Sequence, residues 1–222
     1  MAASVNRREY NASGRRAASA ERRGRILAAA RSEFLENGYA ATTMTEIAAR
    51  ADVALDTVYT LVGRKPALFR LLIETAISGA DQVVPAEERG YVQAIRTEPT
   101  AEGKISTYAS AITHIHERLA PLVAVLQAAA PTDSELDELW RKITDRRATN
   151  MRRFAQELAE TGQLRVPVDE ATDVIWATNS PELYLMLVRQ RGWSPTRYES
   201  WLTDSWQRLL LTSSQEAAGS AK

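Results

Sequence analysis

Apolar residues recur along this chain at three- and four-residue spacing, and nowhere with the two-residue alternation of a half-buried strand. Ile26, Ala30 and Phe34, with Leu27 beside them, predict a first helix from about Ala20 to Asn37, closed by Gly38. Thr43 followed three residues later by Glu46 is a capping box, and Met44, Ile47, Ala48 and Ala51 line one side of the helix it starts. Asp52 is placed to make the next turn, since aspartate tolerates the left-handed region better than most residues. A third helix over about Ala54 to Val62 turns Val58 and Leu61 inward. Gly63 stops it and Pro66 opens a fourth. Two short helices joined by a tight turn form a helix-turn-helix, whose second helix enters the DNA major groove.

After Ile77 the pattern loosens through Pro85, Gly90, Pro99 and Gly103, which predict a connector or a pair of short turns. The next helix carries Ile105, Tyr108, Ile112, Ile115 and Leu119 on one face. Pro121 is expected to break it and begin a short apolar helix reaching Ala130. Asp133 or Ser134 caps a long helix with Leu136, Trp140, Ile143, Met151, Phe154 and Leu158, ending at Gly162. Asp169 opens another, with Val174, Ile175, Leu183, Leu185 and Met186 apolar and Pro181 predicting a kink or restart. Ser194-Pro195 begins the last helix, with Tyr198, Trp201, Leu202 and Leu209 inward. The fold class is all-α. The predicted divisions are a flexible basic arm (1–19), a three-helix DNA-binding domain (20–66), a larger helical domain (67–213) and a disordered tail (214–222).

Composition narrows the function. The 222 residues contain no cysteine, which excludes disulfides and thiolate metal sites and fits a reducing cytoplasm. No apolar run approaches the ~20 residues that span a bilayer, so no membrane role is expected. Net charge is +0, from 28 basic and 28 acidic residues, but the balance is uneven along the chain. Arg7, Arg8, Arg15, Arg16, Arg22, Arg23, Arg25 and Arg31 crowd the first segment, opposed there by Glu9 and Glu21. A neutral total with one basic end suits a protein that meets phosphate through a single module.

The order and spacing of Arg25-Ile26-Leu27, Ala30, Phe34, Gly38-Tyr39, Thr42-Thr43, Glu46-Ile47-Ala48, Ala51-Asp52-Val53, Thr57-Val58-Tyr59, Lys65 and Leu68 resemble the TetR family of bacterial transcriptional repressors. The resemblance covers roughly residues 22–72. Three positions depart from it: Asp52 stands where the family usually has glycine, Val62 where it has an aromatic, and Ala54 where a hydroxyl residue usually caps the third helix.

The resemblance implies a homodimer whose two reader helices enter successive major grooves of a double-stranded operator, and it assigns ligand binding and dimerisation to the larger helical domain (67–213). Leu55, Asp56, Thr57 and Thr60 are the candidates for base edges. Asp56 either accepts from a cytosine amino group or is simply an acid favoured by the helix dipole. Thr43, Tyr59 and Lys65 are candidates for phosphate, with Arg22 and Arg23 reaching phosphate or the minor groove. A small-molecule effector is expected among Tyr108, Ile112, His116, Trp140, Met151, Phe154, Trp176 and Tyr184, large side chains on inward faces. Such a stripe is equally the pattern of plain core, and His116 is either a satisfied core histidine or a ligand contact. Trp176, Trp193, Trp201 and Trp206 on the last two long helices either form the subunit interface or close the monomer's own core.

Catalysis finds no materials. His114 and His116 are two apart and cannot share a helix face, and no nucleophile elbow or phosphate loop is present, so neither metal nor cofactor is expected. The rival to a ligand-responsive repressor is a helical small-molecule-binding or interaction protein whose DNA reader has decayed.

Overall fold

A computed structural model of the chain describes residues 5–80 and 83–212, with side chains from residue 14 onward. The reader module comes first: α1 (Val5–Ala41), α2 (Met44–Arg50) and α3 (Leu55–Val62). The body follows as α4 (Lys65–Ser78), α5 (Gly90–Thr97), α6 (Ala101–Ala129), α7 (Ser134–Ala159), α8 (Val168–Thr178), α9 (Pro181–Tyr184) and α10 (Pro195–Leu210). Short 3-10 turns over Ala86–Glu88 and Ala130–Thr132 precede α5 and α7. A π-helical turn over Leu185–Gln190 continues α9. The one β pairing among the described residues is an isolated antiparallel bridge between Leu164 and Leu211. No helix among them is long and apolar enough to cross a membrane.

The local signals around the reader hold. Thr43 Oγ1 accepts from the Glu46 N–H at 3.2 Å, and the Glu46 carboxylate accepts from the Thr43 N–H at 2.8 Å, completing the capping box. Asp52 stands at φ 52°. Its N–H donates to Ala49 O and that of Val53 to Ala48 O, each at 3.1 Å, so α2 closes in a Schellman motif with aspartate at the left-handed position. Ala54 caps α3 without a side-chain bond. The aromatic missing at Val62 is supplied from α4: Phe69 is fully buried and meets Phe34 edge-on at 5.0 Å and Tyr39 at 5.4 Å.

Four expectations are corrected. Helix 1 reaches back to Val5 instead of starting near Ala20, so the segment read as a flexible arm is helical; Ala, Arg and Glu are strong helix formers and no proline interrupts them. Residues 1–4 of that arm and the whole tail 214–222 lie outside the described residues. Pro121 does not break its helix, because α6 runs through it unbroken. An internal proline costs roughly 3 kcal/mol. Leu122, Val123 and Leu126 just beyond it are fully buried, each contributing roughly 1.5–3 kcal/mol by leaving water, which outweighs that cost. The expected connector contains an ordered helix, α5, whose Ile95 is buried. On α10, Leu209 faces solvent, and Trp206 and Leu210 take the inward positions beside Tyr198 and Leu202. Pro181 does restart the helix, with Ser180 as the new N-cap.

The core centres on α6, against which α1, α4, α5, α7, α9 and α10 all pack, while α7 and α8 form the other close pair. Helix α4 joins reader to body. Two residues, Gly63 and Arg64, separate it from the end of α3, and Arg118 of α6 donates to Ala76 O near its C-terminus at 3.0 Å.

The left-handed Asp52 generates a stability prediction. Asp52→Gly is expected to raise unfolding free energy by about 1 kcal/mol, since an L-residue in that region pays roughly 1–2 kcal/mol that glycine does not. Urea unfolding of the full chain measures it, and unchanged or lower stability would remove backbone strain from the account of this turn.

Candidate functional site

Two regions carry candidate chemistry. In the reader, Asp56, Tyr59 and Thr60 are exposed on α3, and Leu55 and Thr57 are half-buried beside them. Tyr59 is 44% exposed, far from a core aromatic. Thr60 Oγ1 donates to Asp56 O at 2.7 Å, which leaves its lone pairs outward. The Thr43 hydroxyl is occupied within the capping box, donating to Glu46 Oε2 at 2.8 Å while it accepts from the Glu46 N–H. Those bonds hold the Glu46 carboxyl below its usual range. Lys65 is half-buried. Its Nζ lies 4.3 Å above the centre of the Tyr39 ring and donates to Ala40 O at 3.4 Å, pinning the start of α4 to the end of α1; partial burial lowers its pKa. Arg22 is exposed and Arg23 half-buried on α1. Arg64, exposed next to Lys65, was passed over in the sequence because no pattern marks an N-cap arginine.

Arginine is not uniformly available on this face. Arg50 is held by Glu36 at 2.8 Å and Glu33 at 3.2 Å, tying α2 to α1. Arg25 lies 3.8 Å from Asp52, which is fully solvated, so that pair contributes little.

The second region is a cavity of about 400 Å³ bounded by α4, α6, α7, the segment running into α5 and the bend between α8 and α9. Of the residues picked from sequence, Tyr108, Ile112, His116, Trp140 and Met151 line it. Three do not. Phe154 packs 4.5 Å from the Tyr108 ring and borders a smaller adjoining cavity of about 70 Å³. Tyr184 is buried behind His116, ring centres 5.5 Å apart. Trp176 is 39% exposed with the Arg147 guanidinium 4.7 Å over its ring, because it occupies the outward face of α8. Helical periodicity placed all three on apolar faces but could not say which apolar face meets a void.

What the sequence reading missed is Asn179, at the bend between α8 and α9. It is 1% exposed and organises a chain of buried polar groups. Asn179 Nδ2 donates to the Tyr108 hydroxyl at 3.0 Å and approaches Met151 Sδ at 3.1 Å. A thioether sulfur only accepts, so the amide nitrogen faces it and the amide oxygen faces His116 Nε2, 3.0 Å away. Tyr108 in turn donates to the same sulfur at 3.6 Å. The chain thus links α6, α7 and the α8–α9 bend. Arg147 of α7 supports it, its Nε donating to Asn179 O at 2.9 Å and its guanidinium bonding Trp176 O. An asparagine after a helix reads as an ordinary cap, so no sequence signal marked it.

The setting disfavours the charged form of His116. Burial pushes its pKa down to about 3; the Asn179 bond opposes that shift and nearby Arg147 adds to it. Burial likewise raises Tyr108 and lowers Arg147. At the cavity rim, Arg146 of α7 pairs with Glu74 of α4 at 2.9 Å. Among the described residues no cluster of three or more His, Cys, Asp or Glu could hold a metal ion.

The depressed histidine predicts a pH dependence. Unfolded, His116 takes a proton below about pH 6.5; folded, it stays neutral down to about pH 3, so stability is lost as pH falls through that window. At about 1.4 kcal/mol per unit, wild type should lose about 2 kcal/mol more than His116→Gln between pH 7.5 and 5.0. Urea midpoints along that pH series measure the difference, and parallel curves would mean the ring is not buried neutral.

Comparison with known proteins agrees with this layout. Residues 26–71 match the family model described as bacterial regulatory proteins, tetR family. No curated protein matches the sequence. Among solved structures, SmeT in complex with triclosan is similar over 87% of this chain and 93% of its own, at 20% identity and a TM-score of 0.67. Native NalD, the secondary repressor of the MexAB-OprM multidrug efflux pump in Pseudomonas aeruginosa, is similar over 86% and 97%, at 19% identity and a TM-score of 0.65. At such identities the structures speak to fold, and the family rests on the reader module. With its capped second helix, left-handed turn and exposed third helix, the chain carries over residues 26–71 the DNA-binding module described for the tetR family of bacterial regulatory proteins.

Proposed function

We propose that the protein is a ligand-responsive repressor that binds a pseudo-palindromic operator as a dimer. The observation that carries ligand response is that Glu74 and Ile77 of α4 form part of the cavity wall. The helix emerging directly from the reader is thereby exposed to whatever fills the body. A small molecule there makes different contacts with different positions of α4, which is the condition for shifting a population between two reader spacings. The Glu74–Arg146 pair and the Arg118 bond to Ala76 O are the contacts such a shift would remodel. That one structure of this fold is a complex with triclosan supports a small organic effector. A volume near 400 Å³ is within the ~300–1,000 Å³ of ligand sites.

In the DNA-bound dimer, Leu55, Asp56, Thr57 and Thr60 read bases. Tyr59, Lys65, Thr43, Arg22 and Arg23 meet phosphate, with Arg64 added from the structure. Half-sites lie about one helical turn, ~34–36 Å, apart. The dimer forms through α8 and α10. Trp206 is excluded from that interface because it is fully buried within the monomer, its Nε1 donating to Thr178 Oγ1 at 2.7 Å. The remaining candidates are Trp201, half-buried, and Leu209, exposed two turns along the same face of α10.

Enrichment from a random DNA pool at physiological salt tests the reading. Wild type should recover one pseudo-palindrome. Thr57→Ala should relax preference at one or two positions at a cost of about 1–3 kcal/mol, whereas Tyr59→Phe should weaken all sequences alike; the reverse pattern would sink the role assignment. Salt-sensitive background without a consensus would favour a helical binding protein with a decayed reader. Leu209→Glu should give a monomer on light scattering with unchanged helicity. An intact dimer would move the interface elsewhere.

A further inference from the structure

The polar chain inside the body has a direction, and the direction leaves one atom without a partner. Met151 Sδ accepts from both Asn179 Nδ2 and the Tyr108 hydroxyl, so the Asn179 oxygen must face His116. That oxygen only accepts, hence Nε2 of His116 carries the imidazole proton and Nδ1 presents a bare lone pair. Nδ1 is buried and has no hydrogen-bond partner among the described residues, although His116 stands in the wall of the 400 Å³ cavity. A buried lone pair left unmatched is the kind of polar vacancy that proteins fill from inside or from a ligand.

We propose that the effector is an uncharged, largely apolar molecule that donates one hydroxyl or N–H hydrogen bond to Nδ1 of His116. The inference rests on the ligand-responsive reading above and names the ligand's chemistry. A donor is required because the acceptor is already in the protein. A carboxylate would set its own lone pairs against that of Nδ1. A cationic head would have to approach the Arg147 guanidinium, which bonds Asn179 O beside the same ring. The apolar part of the wall, Ile112, Ile115, Leu119, Val123 and Ile143, asks for an apolar body, and the charged side chains of the lining are engaged within the protein: Glu74 with Arg146, Glu87 with Arg153, Arg89 with Val84 O and Arg147 with Asn179 O. The hydrogen bond would couple ligand to the α6–α7–α8 chain, while the apolar body reaches α4 at Ile77.

The test uses two probes of nearly equal shape, 2-naphthol with a donor and 2-methoxynaphthalene without one, on the wild-type full chain. The chain has only two histidines, so ring-¹⁵N labelling with His114→Gln as the assignment control isolates His116. The free protein should show Nε2 protonated and Nδ1 bare. 2-Naphthol should bind about 3- to 10-fold more tightly than the ether by calorimetry, the increment of one buried hydrogen bond, and should move the Nδ1 resonance where the ether does not. Equal affinities with an unmoved Nδ1, and shifted Ile112 and Ile143 methyl signals for both probes, would overturn this proposal and leave the chamber reading intact. A proton on Nδ1 in the free protein would also overturn it, since the vacancy would then be a donor. If neither probe, up to its solubility limit, shifts those methyls, the chamber takes no small apolar ligand and both readings fall.

Discussion

The apolar stripe of α6 is the constraint on which the body depends. Six other helices lay side chains against it, so its 29 residues must stay straight enough to serve them all. Pro121 opposes this by removing one backbone bond and crowding the preceding turn. The helix persists because its apolar positions are buried on both sides of the proline, from Ile105 to Leu126, and a break would expose the far end. The same stripe sets the cavity: one row of its side chains faces the core, and Ile112, Ile115, His116 and Leu119 turn toward the space left between α4 and α7.

Polar groups link the walls of that space in a defined way. The Asn179 chain ties α6 to α7 and to the α8–α9 bend, and the Glu74–Arg146 pair ties α7 to α4 at the rim. Buried polar networks have one satisfied arrangement and many costly ones, so they specify geometry more sharply than apolar contacts do. A single unmatched atom within such a network, on a side chain that lines a void, then carries chemical information about what belongs there. The exposed rim pair is weaker and more easily exchanged, as the proposed shift of α4 would require.

The reader is governed by different physics. Its three helices are short, and their joints depend on local rules: a capping box at Thr43, a left-handed Asp52 and a left-handed Gly63. Its small core is stapled to α4 through the Phe34–Tyr39–Phe69 cluster and the Lys65 contact with Tyr39. Under the proposed mechanism, a shift of α4 would reach the reader through these aromatic rings, packed at 5.0–5.6 Å with little slack.

The sequence by itself determined the helical class, the limits of α2 and α3, the turn at Asp52 and the restart at Pro181. Each follows from a residue acting on its own backbone or on a neighbour three or four positions away. It also marked His116 as a polar group on an apolar face. Only the tertiary structure decided that α6 survives Pro121, because that depends on burial supplied by helices distant in sequence. It likewise decided that Phe154, Trp176 and Tyr184 stand outside the cavity, and that Asn179, 63 residues from His116, is the group that orients the ring. Periodicity tells which face of a helix is apolar. Whether that face meets core, void or solvent is settled by the packing of the whole chain.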